Sequence, residues 1–314
     1  MFIRPPAVFL MGPTASGKTE LALALAERLS CEIISVDSAQ VYCGMDIGTA
    51  KPSLALRHRY PHHLIDILDP AETYSAGRFR ADALTLMKAI SKRGRIPLLV
   101  GGTMLYFHAL TYGISPLPPA DPEVRAAIDR EANMKGWKAL HRRLAELDPM
   151  AAQRIHHHDP QRIQRALEVF QLTGRPLSEL IANSRESELP YRVIKLILAP
   201  AERIVLHSRI ERRFRAMLKA GFLEEVKGLF MRPDLSLGHS SIRAVGYRQA
   251  WLYLQGQFSF PTMAEQAISA TRQMAKRQLT WLRRESNAIH VDPEEKDHVE
   301  QAWRQLEMAL VQAS

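Results

Sequence analysis

A chain of 314 residues, 46% apolar and 24% charged, has the composition of an ordinary soluble globular protein and the length for one or two packed domains. Two cysteines, Cys31 and Cys43, exclude a disulfide framework and a cysteine metal site, and no apolar run is long enough to span a bilayer, so a reducing, cytoplasmic setting is expected. The formal net charge of +9 favours a polyanionic partner, with simple solubility as the bland alternative.

The first element carries the strongest signal. Val8-Phe9-Leu10-Met11 reads as a buried strand rather than a signal peptide, because it feeds directly into Gly12-Pro13-Thr14-Ala15-Ser16-Gly17-Lys18-Thr19 and then into the helical text Glu20 to Ala26. Strand, loop and helix are the context that the G-x-x-x-x-G-K-[ST] pattern requires. Gly12 and Gly17 let backbone N–H groups turn inward on an anion, the helix N-terminus and Lys18 add positive charge, and the Thr19 hydroxyl is placed to take Mg²⁺. The loop is expected to grip a polyphosphate.

Glu32 to Val36 reads as a second buried strand, ending at Asp37-Ser38-Ala39-Gln40, where open α/β sheets place their chemistry. Asp37 could hold Mg²⁺, accept a proton from a nucleophile, or merely cap a turn. Val41 to Pro52 looks like an irregular loop, His62 to Ile67 like a short strand and Phe79 to Ser91 like a helix. Pro97 to Val100 is a third strand that stops at Gly101-Gly102-Thr103. A typical ATPase or GTPase carries an acidic residue there for Mg²⁺. Its absence weakens that reading, and the paired glycines suggest close approach by another molecule. Apolar strands separated by helices predict an α/β fold, a parallel sheet flanked by helices of the P-loop NTPase-like kind.

After the proline-rich connector Ser115 to Pro122 the text turns helical and charged. Asp121-Pro122, Asp148-Pro149 and Asp159-Pro160 each read as an N-cap with proline in the first turn. Strand text resumes at Tyr191 to Leu198, so an all-helical domain is inserted at 121–188, between a first core segment, 1–120, and a second, mostly helical one, 189–314.

Arg162 and Arg165 sit in the first turns of a helix, the wrong end for cations unless an external phosphate is present. The stripe of Ile163, Ala166, Leu167 and Phe170 would leave them outward. The helix Arg203 to Lys219 turns Leu206, Ile210, Phe214 and Met217 inward and sets Arg209 beside Arg213, and a later helix carries Arg272, Lys276 and Arg283 on one face. Singly these are solvated faces; together, in a basic chain, they point to nucleic-acid phosphates. His156-His157-His158 is read as a solvated loop before a metal site, and Trp281 as packing before a base-stacking platform.

These blocks, with Asp37 to Tyr42, Met45 to Pro52, Leu99 to Thr103, Asp159 to Glu168, Ile242 to Gln249 and Lys276 to Arg283, resemble in order the bacterial tRNA dimethylallyltransferase family. The resemblance implies prenyl transfer from dimethylallyl diphosphate to the exocyclic amine of the adenosine 3′ of the anticodon, with the inserted domain clamping the anticodon stem-loop. It implies that Gly12 to Thr19 holds the diphosphate with Mg²⁺ on Thr19, and that Lys18, Asp37, Thr103 and Arg213 serve catalysis, Asp37 as proton acceptor. Ser38, Ala39, Gln40, Thr103 and Arg125 would line the RNA path. Gln161, Arg162, Ile163, Gln164, Arg165, Arg243, Arg248, Lys276, Arg277 and Arg283 would contact tRNA. A monomer is expected, and the alternative kept open is a P-loop small-molecule kinase.

Overall fold

The computed structural model describes residues 4–115, 117–182 and 189–311, so Pro116 of the expected connector and the 183–188 end of the expected insert lie outside the described residues. The chain divides into two compact units, Met1–Thr111 with Leu189–Ser314, and Tyr112–Glu188.

The first unit is built on six parallel strands: β1 (Pro6–Met11), β2 (Cys31–Val36), β3 (His62–His63), β4 (Ile96–Gly101), β5 (Arg192–Leu198) and β6 (Ala288–Val291). Their order is β3-β2-β4-β1-β5-β6. In register, Leu10 of β1 lies between Val100 of β4 and Leu196 of β5. Alternate side chains of β1 serve opposite cores: Ala7, Phe9 and Met11 face one, Val8 and Leu10 the other. Both faces are therefore buried, which is why the strands read as continuous apolar runs.

The helices are α1 (Lys18–Ala26), α2 (Leu54–Arg59), α3 (Ala76–Lys92), α4 (Met104–Tyr112), α5 (Pro122–Lys135), α6 (Trp137–Leu147), α7 (Pro149–Arg154), α8 (Pro160–Thr173), α9 (Leu177–Ala182), α10 (Arg203–Lys219), α11 (Phe222–Phe230), α12 (Tyr247–Leu254), α13 (Phe260–Leu282) and α14 (His298–Val311). Residues of α1 and α14 cover one face of the sheet, and α3, α4 and α10 to α13 contribute to the larger core on the other. None of the described helices is long and apolar enough to cross a membrane.

Two local readings change. The strand expected over His62 to Ile67 is only His62–His63, because Leu64 and Asp66 take left-handed backbone (φ 62° and 55°) and break the extended run. The strand β6 was not anticipated. Its four residues are short, and the signals bounding it, left-handed Asn287 before and Asp292-Pro293 after, are turn signals rather than strand signals.

The second unit packs α5 to α9 around Ile128, Leu140, Leu144, Ile163 and Leu167. Asp121, Asp148 and Asp159 cap α5, α7 and α8 by accepting backbone N–H bonds, each with proline in the first turn. Asp148 also accepts from the Ser178 hydroxyl at 2.6 Å, which ties α7 to the start of α9.

Candidate active site

At the C-terminal ends of β1, β2 and β4 a cavity of about 880 Å³ opens, lined entirely by the first unit. The phosphate loop forms one wall. Gly17 lies at φ 97° and hands over to α1. Gly12 has no room for a side chain, since a Cβ would sit 2.3 Å from the Leu198 carbonyl oxygen. Ala15 takes φ 63°, a conformation that costs a non-glycine residue energy and is common where a loop is shaped for a ligand. The Ser16 hydroxyl is buried without a partner among the described residues, an orphan of the sort that an incoming anion satisfies.

Cations converge on this loop. Lys18 Nζ donates to the Pro13 carbonyl at 2.6 Å. Burial, and then the neighbouring Arg213 guanidinium, push its pKa down to about 7 against the upward pull of Asp37 and Glu20. Arg213 reaches from α10 to donate to Thr14 Oγ1, and burial lowers its pKa while Asp37 and Glu20 support its charge. Arg209, one turn earlier, is ion-paired with Glu294 and donates to the Ser16 carbonyl at 3.3 Å. Of the two, Arg213 is the one in no ion pair among the described residues.

Opposite stands Asp37. Its Oδ1 accepts the N–H groups of Ala39 (2.8 Å) and Gln40 (3.2 Å), so Oδ2 is the oxygen left for a substrate. Thr103 Oγ1 accepts the Ser38 N–H at 3.1 Å, joining the ends of β2 and β4. Gln40 is held from two sides, by Ser35 Oγ and by the Thr49 carbonyl. Thr19, Glu20 and Asp37 supply a hydroxyl and two carboxylates to the cavity, oxygen donors that suit Mg²⁺.

The paired glycines admit the protein itself. At Gly101 a Cβ would lie 2.0 Å from the Val36 carbonyl oxygen, and at Gly102 2.5 Å from Gln278 Nε2. The close approach expected of another molecule is made here by β2 and by a side chain of α13.

The loop from Val41 to Pro52 forms another wall, and long-range contacts that its sequence does not announce hold it there. Glu225 of α11 accepts the backbone N–H groups of Asp46 (2.8 Å), Ile47 (2.7 Å) and Gly48 (3.1 Å) and the Tyr247 hydroxyl (2.5 Å). Lys51, its side chain almost fully buried, reaches the Tyr42 carbonyl, Asp46 and Asp66. Glu225 belongs to no pattern whose chemistry can be read locally, and Gln278, inside the Lys276 to Arg283 block expected at the tRNA, instead bonds Thr14 and Gly102.

The residues expected to meet RNA separate into groups. Arg243, Arg248, Lys276, Arg277 and Arg283 are exposed and in no ion pair among the described residues. Arg272, expected on the same face, is instead paired with Glu211. In the second unit Gln161 and Arg162 are exposed, and Arg162 approaches only its own cap, Asp159, at 3.3 Å. Ile163 cannot serve: it is fully buried in that unit's core, as its place in the apolar stripe dictates. Nor is Arg165 outward. It donates to the fully buried Glu168 at 2.7 Å and to the Pro118 carbonyl, while Arg125 makes a two-pronged pair with the same carboxylate. Gln164 is occupied by Asp129 at 2.6 Å.

The imidazoles of His156, His157 and His158 offer ligand atoms within 4.8 Å of one another, and the Nδ1 of His156 accepts the His158 N–H. Trp281 packs at the edge of the larger core, with the His108 ring 5.7 Å away.

A family model described as IPP transferase matches residues 40–285, and one described as isopentenyl transferase matches residues 6–57. A tRNA dimethylallyltransferase of Thioalkalivibrio sulfidiphilus (strain HL-EbGR7) is 62% identical over 279 residues, 89% of this chain and 87% of its own. A tRNA dimethylallyltransferase of Methylococcus capsulatus is 61% identical over 288 residues, 92% of each chain. Among solved structures, the full-length tRNA isopentenylpyrophosphate transferase of Bacillus halodurans has a TM-score of 0.72 at 37% identity, covering 99% of this chain and 98% of that one. A eukaryotic dimethylallyltransferase acting on tRNA has a TM-score of 0.81 at 25% identity, covering 98% and 80%. With a phosphate loop facing a carboxylate in the same cavity, and with matches of this extent, the chain belongs to the IPP transferase family.

Proposed function

We propose that the protein is a tRNA dimethylallyltransferase that joins the dimethylallyl group of dimethylallyl diphosphate to the N6 amine of the adenosine 3′-adjacent to the anticodon. The observation that carries this reading is the cavity in which Lys18, Arg213 and the phosphate loop face the free oxygen of Asp37, with no carboxylate at the end of β4. A typical ATPase or GTPase carries an acid there for its metal, so its absence weakens that reading.

The reaction then follows from charge. The target base leaves the anticodon-loop stack, which a single-stranded RNA loop permits at small cost, and its amine faces Asp37 Oδ2. The N6 lone pair forms a bond to the allylic carbon while the carbon–oxygen bond breaks and its electron pair departs with the diphosphate. Asp37 takes the proton that the amine releases. The growing charge on the leaving diphosphate meets Lys18, Arg213 and the N–H groups of the loop, donors fixed beforehand by the fold. Mg²⁺ would be held by the Thr19 hydroxyl and would neutralise diphosphate oxygens. Gln161, Arg162, Arg243, Arg248, Lys276, Arg277 and Arg283 offer exposed donors to the RNA. The reading includes a monomer acting on its tRNA substrate in the cytoplasm.

The test is incorporation of label from dimethylallyl diphosphate into unmodified tRNA whose anticodon loop carries adjacent adenosines, with Mg²⁺ and without ATP. Label in the RNA supports the assignment. ATP consumption without label would overturn it in favour of a kinase.

A further inference from the structure

Gln278 lies on α13 between residues whose side chains are exposed and basic, Lys276, Arg277 and Arg283, yet its own side chain turns the other way, into the cavity. Its Oε1 accepts the Thr14 N–H at 2.9 Å, and its Nε2 donates to the Gly102 carbonyl at 2.8 Å. One amide thus spans the loop that would hold the diphosphate and the turn that would present the RNA base. It uses one acceptor and one donor, a pairing that a carboxylate cannot make and an apolar side chain cannot make at all.

Three further features converge on this bridge. Gly102 leaves the space in which Nε2 sits, since a Cβ there would lie 2.5 Å away. Thr14 is held at its N–H by Gln278 and at its Oγ1 by Arg213, so the bridge also sets where the Arg213 guanidinium stands. The next residue after Gly102 is Thr103, whose hydroxyl fixes Ser38 beside Asp37. Moving Gln278 would therefore change the separation between the leaving-group cradle and the proton acceptor without removing either.

On the reading given under the proposed function, we infer that Gln278 is a positioning residue for the transfer step, holding the diphosphate loop and the Gly102–Thr103 turn at the separation that in-line attack requires. It acts through Thr14 and Thr103 rather than on the substrates. The Thr14 N–H is thereby spoken for, and the diphosphate is gripped by the N–H groups of the residues that follow. Misplacing reacting groups by an ångström costs up to about a hundredfold in rate.

The test compares wild type with Gln278→Met, which keeps side-chain length and removes both bonds, and with Gln278→Glu, which keeps only the bond to Thr14. Both variants should lose ten- to a hundredfold in kcat for prenyl transfer. Affinity for inorganic diphosphate and KM for tRNA should stay within about threefold, and the Thr14 amide should lose hydrogen-exchange protection in Gln278→Met alone. Gly102→Ala should lower kcat by crowding Nε2, and its loss should not add to that of Gln278→Met in the double variant. Unchanged kcat in Gln278→Glu would overturn the inference. So would a parallel loss of diphosphate affinity, which would make Gln278 part of the anion cradle. Absence of transfer by the wild-type protein would instead sink the proposed function, while the exchange and diphosphate measurements would still judge the bridge.

Discussion

Arginine and lysine do different work around Glu168 of the helical unit and around the phosphate loop of the sheet unit. In Tyr112–Glu188 the cations largely meet acids of their own unit: Arg125 and Arg165 on Glu168, Arg143 on Glu131, and Arg175 on Glu179. In the sheet unit many cations are paired too, Arg93 and Arg95 on the buried Glu32 among them, but Lys18 and Arg213 stand in the cavity in no ion pair among the described residues, and Arg243, Arg248, Lys276, Arg277 and Arg283 stand exposed in the same condition. The difference is one of partners rather than of residue type. An arginine fastened to a buried carboxylate builds the fold, and one held near a phosphate loop by neutral oxygens is waiting for an anion.

The comparison breaks first at Glu168. The carboxylate is fully buried and takes bonds from Arg125, Arg165 and the Asp121 N–H. Burial alone would raise its pKa, but the hydrogen bonds from Arg125 and Arg165 outweigh that and hold it below the usual carboxylate range. Because the folded-state value is the lower one, the stabilisation is complete above the ordinary carboxylate pKa and is lost as pH falls through the folded value. Glu168→Ala leaves two arginines stranded and should destabilise the helical unit by about 3–5 kcal/mol, read as a lower melting transition in calorimetry. A loss below about 1 kcal/mol would mean that Arg125 and Arg165 are not committed to the fold.

Lys18 is the opposite case. Lys18→Met removes a cation whose one hydrogen bond is to the Pro13 carbonyl, so folding should be nearly untouched. Prenyl transfer should fall by about 10²–10³-fold, the usual cost of deleting one preorganised donor at developing negative charge, as single-turnover kinetics would measure. Equal melting temperatures with equal rates would break the contrast between the two units.

Much of this was legible in the sequence, for reasons that can be named. The phosphate loop is read from local rules, because φ > 0 at Gly17, the absence of a Cβ at Gly12 and the helix start at Lys18 are all properties of neighbours in the chain. The same holds for the three Asp-Pro caps. Glu168 claims Arg125 from 43 residues away, a pairing that local pattern does not announce, and Ile163 enters the RNA-contacting set only by membership of a motif of which Gln161 and Arg162 are the exposed members. Glu225 is the plainest omission. It lies 177 to 179 residues from the N–H groups it accepts, on an unremarkable stretch of amphipathic helix. Glu225→Ala should cost about 2 kcal/mol of stability, since the lost bonds are to a charged acceptor, and should speed hydrogen exchange at Asp46, Ile47 and Gly48 before any other part of the sheet unit.

The smallest expected effect sharpens the comparison most, because it reports on charge without deleting a residue. Lys18 has a pKa of about 7 in the free protein, chiefly because it is buried and secondarily because Arg213 lies beside it. Above that pH the amine is largely neutral. A diphosphate entering the loop brings negative charge to the same spot and favours the ammonium form, so binding must take up a proton. The sign follows: affinity for inorganic diphosphate should be flat below about pH 7 and should weaken above it by up to about tenfold per pH unit, until the raised pKa of the complex is passed. Diphosphate itself gains charge over part of this range, which acts in the opposite direction, so the Lys18→Arg variant, whose guanidinium stays charged, serves as the reference. Calorimetry in buffers of different ionisation enthalpy at pH 8 should find more proton uptake in the wild type than in Lys18→Arg, the difference excluding the proton exchange of diphosphate itself. Equal uptake in both would assign the proton to another group and leave Lys18 charged throughout.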